Sequence, residues 1–101
     1  FSNCIRLTEI RIPKTITRVP DKCFAGCTGL TKVSLEDGIE HIGVEAFREC
    51  IGLYEITIPD SVVSIGDNAF AELDPKFIVQ CSSGSYAETY AREHRLKYQL
   101  V

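Results

Sequence analysis

The 101-residue chain contains no methionine, only two histidines and no long hydrophobic run. Nothing in it approaches the ~18 apolar residues that mark a membrane-spanning helix. No secretory leader is visible, and a chain without methionine reads as a mature product or an excised piece of a longer one. An excess of positive charge is also missing: eleven Lys and Arg against fourteen Asp and Glu leave a net charge of −3, with the signs interspersed. That excludes the basic stripe on which nucleic-acid binding depends. The cysteine count is odd, at five, so a complete set of internal disulfides is excluded. What remains, 45% hydrophobic and 25% charged residues, is the make-up of one folded domain.

What the chain does have is internal repetition. Phe1, Phe24, Phe47 and Phe70 are each 23 residues apart, and Cys4, Cys27 and Cys50 keep the same interval. Leu7, Leu30 and Leu53 follow in step, then Ile10, Val33 and Ile56, and then Ile12, Leu35 and Ile58. Ile16, Ile39 and Val62 form another column, and Val19, Ile42 and Ile65 the next. Cys23, Ala46 and Ala69 place a small residue before each phenylalanine. Residues 1–72 are thus a repeat region, with three full units at 4–26, 27–49 and 50–72 and the end of a truncated unit at 1–3.

The alternation at Ile10-Arg11-Ile12 and its copies predicts a short, half-buried strand. Pro13 and Pro59 stop it, because proline has no N–H for a ladder bond. A second extended piece is expected around Thr17–Val19, Glu40–Ile42 and Val63–Ile65, and a short helical turn where Phe24, Phe47 and Phe70 point inward. One unit cannot bury its own apolar face, but stacked copies cover one another. The expected fold is a repeat solenoid, mixed α/β but mostly β. A parallel sheet lines one side, and short second strands and turns form the other.

The copies "LTEIRIP", "LTKVSLE" and "LYEITIPDSVVSIGDNAFAE" resemble the leucine-rich repeat in its BspA-like class of bacterial and protozoan surface proteins. The tail "SGSYAETYAREHRLKYQ" is similar to the C-terminal end of many such arrays. The resemblance implies a right-handed solenoid, a secreted or cell-surface location and a role in adhesion. One departure stands out. Thr15, Gly38 and Ser61 occupy the position where the general leucine-rich repeat carries an asparagine, so an asparagine ladder is not expected.

The cysteines read as core columns. Cysteine packs as a small apolar residue, and equivalent positions on neighbouring coils lie about one strand spacing apart, longer than the usual ~3.8 Å between bridged Cβ atoms. Cys4, Cys27 and Cys50 are expected to be free and buried, and Cys23 and Cys81 buried with them. The i, i+4 spacing of Cys23 and Cys27 invites a metal reading. Zinc needs about four ligands, however, and His41 is the only histidine within the repeats, so no metal or cofactor site is expected. Asp60, Asp67, Glu45 and Glu49 are scattered over turns, three coils offer no deep pocket, and "SSGS" at 82–85 lacks the lysine of a phosphate loop. No enzyme is expected.

Residues 73–101 read as a C-terminal cap. It comprises a strand at 77–81 in the same register, a helix at 85–94 that starts on a Ser85/Glu88 capping box, and a strand at 96–100. Tyr86, Ala87, Tyr90, Ala91 and His94 share the helix face expected to cover the last coil. No matching polar cap is visible at the other end, whose apolar face is expected to pair with a second copy.

The candidate contact surface is the outer sheet face. One column there is Glu9, Lys32, Glu55 and Ile78, a second is Arg11, Ser34, Thr57 and Gln80, and Tyr54 and Phe77 are expected at the border. Opposite charges on adjacent strands are explained by sheet stability alone. The same face suits a protein or glycan partner. Two functions follow: a non-catalytic interaction module that recognises such a partner, or a structural spacer or accessory region of a larger surface protein, enzymatic or not.

Overall fold

A computed structural model describes residues 2–101. Its chain order is β1 (Glu9–Ile12), β2 (Arg18–Val19), β3 (Lys32–Leu35), β4 (His41–Ile42), β5 (Glu55–Thr57), β6 (Ser64–Ile65), β7 (Ile78–Cys81), α1 (Tyr86–Glu93) and β8 (Lys97–Leu100). These elements wind a mostly β solenoid of about four turns with one short helix at its C-terminal end. The larger sheet runs β1-β3-β5-β7-β8 and the smaller β2-β4-β6, and every pairing is parallel. The register is the sequence period made spatial: Ile10 pairs with Val33, Val33 with Ile56 and Ile56 with Val79.

Between the sheets lies a continuous core. Leu30, Leu53, Val33, Ile56, Ile39 and Val62 are buried, and the phenylalanines stack along the solenoid axis. Ring centroids are 5.4 Å apart for Phe24–Phe47 and 5.6 Å for Phe47–Phe70, with planes within 9° of parallel. A repeat places the same side chain on each floor, so neighbouring rings share one rotamer and meet face to face with an offset.

The Phe-bearing segments are chained turns rather than helix. Bonds from Cys23 N–H to Pro20 C=O and from Ala25 N–H to Lys22 C=O close them locally. Left-handed residues recur at Lys22, Glu45 and Asn68 and again at Asn3, Gly26, Glu49 and Glu72, and they stop an α-helix from propagating. The gain is inter-coil bonding. The N–H groups of Lys22, Phe24 and Gly26 reach the carbonyls of Val44, Ala46 and Arg48 on the next coil. The convex side is therefore hydrogen-bonded along the axis as the sheets are.

Glycines permit this close approach. A Cβ on Gly43 would sit 2.5 Å from the Asp21 nitrogen, and one on Gly52 would sit 2.7 Å from the Thr28 carbonyl oxygen. In the asparagine-ladder column, Ser61 takes over the bonding: its hydroxyl donates to Ile39 C=O at 2.7 Å and accepts from Gly38 N–H at 2.9 Å.

All five cysteines are free, but only Cys27, Cys50 and Cys81 are buried; Cys4 and Cys23 are half-buried. This corrects the expectation of uniform burial. Both belong to the first coil, which among the described residues has a full coil on one side only. For the same reason Ile16 is 42% exposed, whereas Ile39 and Val62 of its column are buried. An apolar hollow lined by Ile10, Ile12, Ile16, Val19 and Phe24 opens on that end.

Candidate functional site

Parallel pairing places the outward residues of the large sheet in two rows. Glu9, Lys32, Glu55 and Ile78 are successive partners, and so are Arg11, Ser34, Thr57 and Gln80. Glu9 and Arg11, on the edge strand, are exposed, and the other six are half-buried by their neighbours. Lys32 Nζ lies 3.6 Å from Glu55 Oε2, and Thr57 Oγ1 donates to Gln80 Oε1 at 3.3 Å. Arg11 does not pair within its row. Its guanidinium reaches Glu36 at 2.6 Å, while the other Glu36 oxygen accepts the Lys14 N–H at 3.1 Å. Tyr54 stands at the rim, 51% exposed. A shallow depression of about 300 Å³ lies among Glu9, Ile10, Arg11, Lys32 and Ser34.

Phe77 is not on this rim. It is 3% exposed, and its ring stacks on Phe70 at 5.5 Å. Asp74 explains the difference: its carbonyl accepts the Phe77 N–H and its carboxylate the Lys76 N–H, so a tight turn directs the ring onto the end of the phenylalanine stack. Three participants are absent from the expected face. Glu36 orients Arg11, and Lys97 and Gln99 of β8 extend the two rows beside Ile78 and Gln80. The alternation of "RLKYQLV" carried a signal for the last two; Glu36 follows its strand and shows no period.

The cap forms a second concavity. Ser85 caps α1, accepting from Glu88 N–H at 3.2 Å. Glu88 answers to Gly84 N–H at 2.7 Å, one residue before the partner of a standard capping box, and binds Arg92 at 3.1 Å. Ala87, Tyr90 and Ala91 pack on the last coil, whereas Tyr86 is 40% exposed and His94 is also exposed. Tyr86 is the first residue of the eight-residue helix and His94 its C-cap, so the exposed pair stands at its two ends. Tyr90 meets Phe70 edge-on at 6.2 Å, and His94 stacks on Tyr90 at 3.9 Å. Burial, reinforced by Tyr86 and Asp67, pushes the Tyr90 hydroxyl up to about 12. The adjacent open groove, of about 600 Å³, is larger than any concavity expected of three coils.

On the convex side Arg48 contacts Glu45 at 2.7 Å and Glu72 at 3.3 Å, and those hydrogen bonds, Glu72 first, raise its pKa. This tie between coils is exposed and contributes little to stability. Among the described residues, no cluster of three or more His, Cys, Asp or Glu could hold a metal ion, and no helix is long and apolar enough to cross a membrane.

The sequence model of the BspA type leucine rich repeat region (6 copies) matches residues 1–94. The chain belongs to the BspA-type leucine-rich repeat family. Matched residues run from the first coil through helix α1, so the repeats and most of the cap share one family assignment. No curated protein and no solved structure matches the chain. Membership in the BspA-type family supports a repeat-based protein-interaction module. Repeats of this family are generally non-catalytic, and the family is associated with bacterial surface proteins.

Proposed function

We propose that this BspA-type array is a non-catalytic recognition module of a secreted or cell-surface protein, and that its large-sheet face adheres to a host protein or glycan. The observation that carries the reading is the pair of in-register polar rows, flanked by the exposed ring of Tyr54 and hollowed between Glu9 and Ser34. A rigid backbone ladder holds these side chains at fixed spacing, so contact orders few additional groups and loses little entropy. Exposed aromatic and Arg side chains are the types that anchor interfaces.

The test is a triple variant, Arg11→Ala, Tyr54→Ala and Thr57→Ala, screened beside the parent against extracellular-matrix proteins and a glycan array. Loss of a specific partner with an unchanged melting temperature supports the reading. Retention of every parental interaction by the variant sinks it.

A second reading, a structural spacer, has its own observation. Much of the face is internally satisfied, by Lys32–Glu55, Thr57–Gln80 and Arg11–Glu36. For a spacer, array length would matter and face substitutions would not. The exposed apolar end of the first coil is in turn proposed as a self-association surface, since Ile16 is presented there beside the hollow lined by Ile10, Ile12 and Val19.

A further inference from the structure

The groove beside the cap helix has no part in the sheet-face reading, and its lining combines tyrosine rings, two carboxylates and the imidazole of His94. Tyr86, Tyr90 and His94 follow one another along α1 and its C-cap at i, i+4 and i+8, with Tyr86 and Tyr90 rings 6.4 Å apart and Tyr90 and His94 rings 3.9 Å apart. Asp67 and Asn68, from the final turn of the last coil, and Glu93 of the helix line the same groove. Asp67, Asn68 and Glu93 are all exposed. Among the described residues, neither the Asp67 nor the Glu93 carboxylate has an ion-pair or hydrogen-bond partner, whereas Glu45, Glu55 and Glu88 are each matched to a base. No Lys or Arg lines the groove.

We infer that this groove is a binding site for an organic cation, and specifically for a lysine side chain of a partner peptide. An ammonium group over an aromatic face is attracted by the ring quadrupole. Two unmatched carboxylates at the rim add direct charge complementarity. Tyr90 is only 7% exposed, so the lysine methylenes would lie against the exposed rings of Tyr86 and His94 while the ammonium meets Asp67 and Glu93. A neutral sugar would use the rings but leave both carboxylates without a counter-charge.

The experiment is an amide-resolved NMR titration of the whole chain with the capped tripeptide acetyl-Gly-Lys-Gly-amide. The same peptide acetylated on the lysine Nε and a methyl glucoside serve as comparison ligands. Shifts centred on Asp67, Asn68, Tyr86 and Glu93 with the charged peptide alone are expected, and they should weaken as salt is added. Asp67→Asn with Glu93→Gln should reduce affinity about tenfold, and Tyr86→Ala about fivefold. These side chains are exposed, so melting temperature should hold. The sheet-face triple variant should bind the peptide as the parent does, which separates this site from the proposed recognition face. Equal response to the acetylated peptide, stronger response to the glucoside, shifts centred elsewhere, or unchanged affinity in the Asp67/Glu93 double variant would each overturn the assignment.

Discussion

The rings of Phe47 and Phe70 lie 1° from parallel with centroids 5.6 Å apart, one coil above the other. Phe47 is fully buried and has a phenylalanine on either side, at Phe24 and Phe70. Removing it leaves a cavity in mid-stack that rigid neighbouring coils cannot close. Phe47→Ala should therefore cost about 3–5 kcal/mol, measured by urea unfolding.

Cys50 donates to the Phe24 carbonyl at 3.0 Å, and burial raises its pKa to about 11 from an ordinary 9.0. The unfolded thiol ionises first, so between those values the native state binds more protons. Stability is complete below about pH 9 and falls as pH rises toward 11. Tyr90, raised from 10.0 to about 12, extends the loss to higher pH. A melting series from pH 8 to 11 should show a decline that Cys50→Ala makes shallower; a parallel decline in that variant would remove Cys50 as its source. With a thiol reagent near neutral pH, Cys4 and Cys23 should react in the native protein, and Cys27, Cys50 and Cys81 only after unfolding.

Gly43 is buried at a close approach between coils, and a Cβ there would lie 2.5 Å from a backbone nitrogen of the preceding coil. Backbone cannot yield as a side-chain end can. Gly43→Ala should destabilise by about 1–3 kcal/mol, visible in thermal unfolding. In the first coil the same column holds Pro20, which no earlier coil among the described residues contacts.

Self-association through the first coil is expected to be concentration-dependent and sensitive to Ile16, which is 42% exposed. Ile16→Lys should keep the chain monomeric in sedimentation velocity at concentrations where the parent associates, with no loss of melting temperature. Dimerisation undiminished in that variant would place the contact elsewhere.

The sequence by itself determined the solenoid. In a parallel stack residue i lies beside residue i+23, so each core column and each outward row could be written down from the period alone. The Ser85 cap was legible too, because its hydrogen bond is local. Tertiary structure decided whatever breaks the period or depends on an end. Lys22 and Glu45 adopt left-handed backbone in a column that holds no glycine, because bonding to the next coil outweighs their local preference. Cys23 is less buried than the residues of its column for want of a neighbour. Phe77 turns inward because the stack ends there and its last ring needs cover. The aromatic groove likewise exists only where the helix meets the last coil. Stacking is repeated at every floor and therefore shows in a period, whereas a cap occurs once and is settled by the surface it has to cover.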